Sequence, residues 1–340
     1  MRIGLCGLGM MGQAHLGNAL KSDELEVAAL CDSDPTRLSL EEAVGGNLAL
    51  QQAEGSLDGV PRYADFAEML AQTELDAVAL ALPTDVHAEF AVQALQAGLH
   101  TFSEKPMALT VDGAEQMCQA ARDAGRTLFI GHVVRFFPAY QAIHAMIRSG
   151  EHGAVVAAEF GRACGLPGWG GDSWFADPAR SGGMPVDLHI HDVDFVRYAL
   201  GEPSQVEAFR TRREASGVDV IRTQYEYGTE AVIGSYGAWL HRGAGFAAWA
   251  SVIFERASVH WHTDRGDRLD LIVDGAGPQT TPLPEVDGYE AELREFVRGV
   301  ESGQPSEICT PESAMASLAL VYKEMEAAEA GARLRLEEPA

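Results

Sequence analysis

Basic residues are scarce in this chain. Its 25 lysines and arginines face 50 aspartates and glutamates, for a formal net charge of −25. With no basic cluster, neither nucleic acid nor an anionic membrane is an expected partner. No apolar run approaches the ~20 residues needed to span a bilayer. The first strand reads from residue 2, so no secretory leader is expected. The five cysteines (Cys6, Cys31, Cys118, Cys164 and Cys309) are scattered, odd in number and without a C-x-x-C pair. They read as reduced thiols of a cytoplasmic protein, with no zinc site and no other metal expected. Internal repeats and low-complexity segments are absent as well. At 340 residues the chain is too long for one typical core and suits two domains.

What is present begins at the N-terminus. Arg2–Cys6 is short and apolar, as a buried parallel strand should be. It runs into Gly7-Leu8-Gly9-Met10-Met11-Gly12. In that pattern the first glycine makes the turn, the second admits a pyrophosphate to the backbone, and the third lets the next helix pack close. The helix N-terminus then offers N–H groups and a positive dipole end to the phosphates. A second apolar run, Leu25–Cys31, ends at Asp32, twenty residues past Gly12. That is where a carboxylate takes the adenosine ribose hydroxyls. Gly7, Gly9, Met10, Met11, Gly12 and Asp32 are therefore expected to bind a dinucleotide. Asp32 would repel a 2′-phosphate, which favours NAD over NADP. Arg37 could reach toward such a phosphate, but reads as a solvated helix residue after Pro35.

Residues 1–130 alternate apolar runs with helical patterns, as in a doubly wound parallel sheet: a strand at Asp76–Leu82 ended by Pro83, a helix at Val86–Ala97, a strand at Leu99–Ser103, a helix at Thr110–Ala124 and a strand at Thr127–Ile130. From Gly131 the pattern changes. After a helix at Pro138–Ser149 come strand-like runs at 155–162, 205–211, 219–227, 231–239, 247–255 and 268–273, which predict an open, mostly antiparallel sheet. Residues 165–183 read as a long glycine-rich loop, and two helices, Tyr289–Ser302 and Pro311–Ala330, close the chain. The expected fold is α/β: a Rossmann domain over 1–130, then an α+β domain over 131–340 for substrate binding and oligomerisation.

Asp187-Leu188-His189-Ile190-His191-Asp192-Val193-Asp194 opens a helix just after Gly182-Gly183. Asp187 and His191 stand four apart and share a face. A histidine with a carboxylate one turn away is a plausible general base with its orienting partner, although such pairs also serve as surface ion pairs or caps.

These motifs resemble the Gfo/Idh/MocA oxidoreductases, the family of glucose-fructose oxidoreductase and inositol dehydrogenase. The resemblance runs nearly end to end. It takes in Gly7/Gly9/Gly12 with His15, Pro83 with His87, Gly98-Leu99-His100 leading to Glu104-Lys105-Pro106, Gly131 to Arg135-Phe136 and Pro138, Gly182-Gly183 with Asp187 and His191, and Tyr289 to Phe296. It implies that Lys105, Asp187 and His191 form the catalytic set. It also implies that Pro83, Thr84 and His87 line the far side of the cofactor, and that Glu104 fixes the loop presenting Lys105. Asp194 matches an aspartate that touches polyols in the inositol dehydrogenases. Arg135, Trp174 and Tyr289 complete the candidate substrate contacts, with Trp174 placed either to stack on a sugar or to pack. His189 departs from the pattern, standing where a small residue is usual.

The implied activity is NAD-dependent hydride transfer from a secondary alcohol of a sugar, inositol or related polyol. Two other readings share these residues: an NAD-dependent glycosidase on the same scaffold, and a regulator that binds dinucleotide without turnover. The resemblance also implies a homodimer or homotetramer, in which the open sheet face is covered by a second subunit.

Overall fold

The computed structural model describes residues 1–40, 56–166, 174–213 and 217–336. They fall into two compact units. The first comprises residues 1–133 with 174–181 and 289–316, and the second comprises 134–166, 182–288 and 317–336.

The first unit is built on six strands: β1 (Arg2–Cys6), β2 (Glu26–Cys31), β3 (Arg62–Tyr63), β4 (Ala77–Leu80), β5 (His100–Glu104) and β6 (Leu128–Gly131). All are parallel, in the order β3-β2-β1-β4-β5-β6. This is the doubly wound order, whose direction reverses between β1 and β4 and opens a crevice at the carboxyl ends of the strands. The central strands are buried on both faces, as helices on both sides require. Helix Val111–Ala124 shows clear punctuation: Thr110 accepts from the Gly113 N–H at its start, and Gly125 ends it in the left-handed region at φ +60°.

The first stretch of the first unit ends at Val133, and residues 289–316 belong to that unit as well. The chain returns to the first unit through helix Gly288–Ser302, because Phe296 is needed there. Its ring stands 6.0 Å from Phe102 and 6.2 Å from Phe129, in the core against β5 and β6.

The second unit carries a nine-stranded sheet: β7 (Val155–Gly165), β8 (Gln205–Arg213), β9 (Val218–Glu226), β10 (Val232–Leu240), β11 (Ala247–Phe254), β12 (Ala257–His262), β13 (Arg268–Val273), β14 (Gln279–Pro282) and β15 (Leu334–Arg335). Their order is β14-β13-β12-β11-β7-β10-β9-β8-β15. Every pairing is antiparallel except β7 with β10 at the centre. Residues 167–173 of the expected long loop, Trp169 among them, lie outside the described residues. The part that follows folds into a turn at Trp174–Ala176 and a short helix at Pro178–Ser181.

Register separates the two faces of this sheet. Ala208, Thr223, Ser235, Phe160 and Ala250 form one cross-strand row, all buried. Phe209, Arg222, Tyr236, Gly161, Trp249 and His262 form a row on the opposite face. There Gly161 gives way to an indole: a Cβ on it would stand 2.4 Å from the Trp249 ring. No helix among the described residues is long and apolar enough to cross a membrane.

Removal of the aromatic anchor on the returning helix is expected to be costly. Phe296→Ala should lower stability by about 3–5 kcal/mol, read as a shift of the denaturant midpoint with unchanged slope.

Candidate functional site

In the first unit the glycine turn is shaped by close approach. Gly7 has φ +87°, and its N–H donates to the Cys31 carbonyl at 2.8 Å. A Cβ on Gly12 would lie 1.7 Å from the Gly7 carbonyl oxygen, so any side chain there would separate helix from strand. Gly9 caps helix Met10–Lys21 without a side-chain hydrogen bond, and a Cβ on it would meet only Arg37, at 3.8 Å. The cradle is thus tight beneath and open above, which fits a pyrophosphate on the helix N-terminus. Asp32 is buried at the end of β2, where its carboxylate accepts from the N–H groups of Leu8 at 2.7 Å and Asp34 at 2.9 Å. Arg37 does not point away from the site: its guanidinium is 3.9 Å from Asp32 and 3.7 Å from Asp34.

Lys105 follows β5, at the same carboxyl edge of the sheet. Glu104 holds it there. One Glu104 oxygen accepts from the Lys105 amide at 3.1 Å, and the other lies 2.6 Å from His15 Nε2. Both His15 and Glu104 are buried. Burial by itself would push the Glu104 carboxyl up. The His15 hydrogen bond and charge, helped by Lys105 and His87, outweigh it and hold the group below the usual glutamate value. His87, expected to line the cofactor, is instead buried between two carbonyls, Pro106 at 2.8 Å and Leu82 at 2.7 Å, and so ties together the turns after β4 and β5. Burial lowers its pKa, the two carbonyls pulling the other way. Thr84 is buried beside it in a short helical turn, Thr84–Val86, that follows Pro83.

Glu292 and Tyr289, on helix Gly288–Ser302, join this corner. The Tyr289 ring is 6.3 Å from His15, edge-on. Among the described residues, only His15, Glu104 and Glu292 gather as a group that could hold a metal ion, their ligating atoms lying within 4.8 Å of one another. A 2.6 Å separation of His15 from Glu104 is that of a hydrogen bond; two ligands sharing an ion at ~2 Å each stand ~3 Å or more apart. Trp174 is half-buried and stacked on Phe175 at 3.9 Å.

In the second unit Asp187 and His191 lie at a helix junction. Pro185–His189 forms a π turn that runs into helix Ile190–Leu200. Asp187 is buried and His191 half-buried. Arg135 and Asp194, expected as substrate contacts, bind each other instead. The guanidinium meets the carboxylate in two hydrogen bonds, 2.8 and 2.6 Å, with both side chains essentially inaccessible. Ser317 adds a third donor to Asp194 at 2.7 Å, and Arg135 also lies 4.8 Å above the Tyr198 ring. A buried charge needs such a partner. Arg162 and Asp192 form a second buried bidentate pair, at 2.7 and 3.0 Å.

Residues 1–132 match the family described as oxidoreductase family, NAD-binding Rossmann fold, and residues 140–260 match the GFO/IDH/MocA C-terminal domain. The chain belongs to the Gfo/Idh/MocA oxidoreductases. Like the family it is an NAD(P)-dependent dehydrogenase acting on CH–OH groups. It is similar to D-xylose 1-dehydrogenase (NADP(+)) 2 of Haloferax volcanii, 29% identical over 343 residues that cover 99% of this chain and 100% of the relative. It is 25% identical to myo-inositol 2-dehydrogenase of Thermotoga maritima, over 99% of each chain. Its fold is shared with aldose-aldose oxidoreductase of Caulobacter crescentus, with a TM-score of 0.83 at 20% identity over 99% of both chains.

Sequence reasoning passed over Glu292, Arg162, Asp192 and Glu324. The signal available was a charged residue at an apolar position of a helix or strand, a position that buries the charge and obliges it to find a partner.

His15 is expected to matter in a pH-dependent way. A depressed carboxyl stabilises the fold above its unfolded-state value of about 4.3 and loses that contribution as pH falls through the folded value. The gap in melting temperature between wild type and His15→Gln should therefore be full at pH 7 and narrow below pH ~4. A gap constant from pH 7 to pH 3 would dissociate His15 from the Glu104 charge.

Proposed function

We propose that this protein is an NAD-dependent dehydrogenase of a sugar, inositol or related polyol, with Lys105, Asp187 and His191 as its catalytic residues. Lys105 carries the reading. Its amide is pinned by a buried carboxylate at the carboxyl edge of a doubly wound sheet, the edge at which such sheets bind their ligands. The relatives named for D-xylose and myo-inositol support a polyhydroxylated substrate.

A nicotinamide dinucleotide held by the cradle of residues 7–12 and Asp32 would supply the hydride acceptor. The chain supplies the rest. His191 takes the hydroxyl proton of the reacting carbon. Lys105 would donate to the same oxygen and stabilise alkoxide charge as it develops. Asp187 orients His191. Arg135 and Asp194 support the helix that carries His191, and the remaining candidate contacts to substrate are Trp174 and Tyr289. NAD is the preferred cofactor, because Asp32 sets a fixed negative charge beside the ribose site. Arg37, close to Asp32, is the residue that would receive a 2′-phosphate if NADP were preferred.

The open face of the nine-stranded sheet is proposed to pair with a second copy. Phe209 and Val232 are 66% and 60% exposed there, and toward the other edge of the sheet a cavity of about 580 Å³ is lined by Trp249, Trp261, His260 and His262, among others. Apolar faces of this size are seldom left bare, and a two-fold dimer covers one with itself.

NADH absorbance followed across sugars, inositols and sugar acids tests the activity. Lys105→Ala and His191→Ala should each lower turnover ~10²–10⁴-fold, with NAD affinity little changed in His191→Ala. Near wild-type turnover in His191→Ala would assign the proton to another group, and phenol release from an aryl glycoside without net NADH would replace the dehydrogenase by a glycosidase. Calorimetry should show tighter binding of NAD than of NADP, and Asp32→Ala should narrow the difference; tenfold tighter NADP binding would reverse the cofactor assignment. Light scattering should give at least twice the 36.4 kDa chain mass, and a monomer mass would end the dimer proposal.

A further inference from the structure

His189, the residue that departs from the family pattern, sits inside the π turn between Asp187 and His191. The turn is one residue wider than an α turn: the Ile190 N–H reaches back to the Pro185 carbonyl. Such turns are rare and occur mostly as isolated bulges at functional sites. This one is held from the side-chain end.

The His189 ring is completely buried. Its Nε2 lies 2.9 Å from a Glu324 oxygen and 3.3 Å from Ser235 Oγ, while Nδ1 has no hydrogen-bond partner. Nε2 is therefore the donor and the carboxylate the acceptor. Glu324, on helix Pro311–Ala330, is also completely buried. It accepts from Thr223 Oγ1 at 3.0 Å and from the Tyr225 hydroxyl at 2.6 Å. Tyr225 in turn lies 2.6 Å from Ser235 Oγ. Burial, then the Glu324 charge, hold the Tyr225 phenol well above its ordinary value, so it stays a donor. Thr223 and Tyr225 stand on β9 and Ser235 on β10. The carboxylate thus binds β9 and the π turn at once, and Ser235 ties β10 to both through Tyr225 and His189.

The strand has made room for the ring. A Cβ on Gly237, two residues past Ser235 on β10, would stand 2.7 Å from the His189 Cβ and 2.8 Å from Nδ1. The large residue at 189 and the missing side chain at 237 are complementary.

We propose that His189 and Glu324 are positioning residues: the ring, clamped between the Glu324 carboxylate and Gly237, sets the turn from which Asp187 and His191 leave, and so sets the reach of the base. The proposal rests on His191 being that base. It couples catalysis to a carboxylate 135 positions away.

Steady-state kinetics, NAD affinity and melting temperature of the full-length protein test it, in Glu324→Gln, His189→Gly, Gly237→Ala and the double variant His189→Gly/Gly237→Ala. Glu324→Gln and Gly237→Ala should each lower kcat about ten- to a hundredfold, the scale of a misplaced catalytic group. KM and NAD affinity should stay within about threefold, since the misplaced group acts in the chemical step. The double variant should match His189→Gly alone, because Gly237 matters only through the ring above it. Lower melting temperatures with kcat within twofold of wild type would make the network purely structural and overturn the proposal, as would full additivity in the double variant. If Glu324→Gln does not fold, Tyr225→Phe removes one donor only and should give a smaller loss in kcat; no loss counts against the proposal. If wild type reduces NAD with no substrate tried, the dehydrogenase reading fails by itself, and amide exchange over residues 185–193 decides here: faster in Glu324→Gln supports the clamp, and unchanged exchange overturns it.

Discussion

Glu104 is the group on which the proposed chemistry depends. A carboxylate buried at the end of β5 has to be paired, and it is paired twice, to His15 from the first helix and to the amide of the residue that follows it. The consequence is geometric. Lys105 has a long, flexible side chain, yet its starting point is fixed by a charge that cannot be left unsolvated. Helix Met10–Lys21, which carries the open glycine cradle at its front, supplies His15 near its middle. Cofactor cradle and lysine are thereby referenced to one another through one buried hydrogen bond.

The second unit uses the same device differently. Its helix Ile190–Leu200 presents Asp192 and Asp194 to Arg162 and Arg135, and the π turn before it presents His189 to Glu324. Three buried ionic or charge-assisted contacts dock one short segment. Apolar packing tolerates sliding by a fraction of an ångström; bidentate arginine–carboxylate pairs do not, because their bonds are directional. A segment proposed to hold a proton-transferring group in place is well served by that stiffness, even where the pairs add little net stability.

Much of this was legible in the sequence where the cause is local. Gly7, Gly9 and Gly12 announce the nucleotide cradle because their spacing answers to backbone contacts a few residues apart. The helix ends at Gly125 and Ser149 follow from capping chemistry, and Lys105 follows from its place after an apolar run. Other features were hidden. Strand β12 was missed because Ala257–His262 mixes histidines and a tryptophan into a weak alternation, and it exists by pairing with β11. Arg135 with Asp194 was readable as two polar residues near a site, but not as a pair, since 59 positions separate them. Arg37 looked solvated because nothing in a linear pattern bends a helix residue back over Asp32. The return of residues 289–316 to the first unit left no local mark, because an amphipathic helix does not say which sheet it will cover.

That return has a consequence for how the protein is made. Residues 1–133 are translated before the nine-stranded sheet and contain the six strands of the parallel sheet, so pairing can begin early. Phe102 and Phe129, however, wait for Phe296, which is synthesised after eight of the nine strands of the other sheet. Between those events the first unit exposes an uncovered aromatic surface while more than a hundred further residues are translated. The unit whose sheet is made first thus stays incomplete until residues 289–316 emerge, and it is open to chaperones, or to aggregation, during that interval.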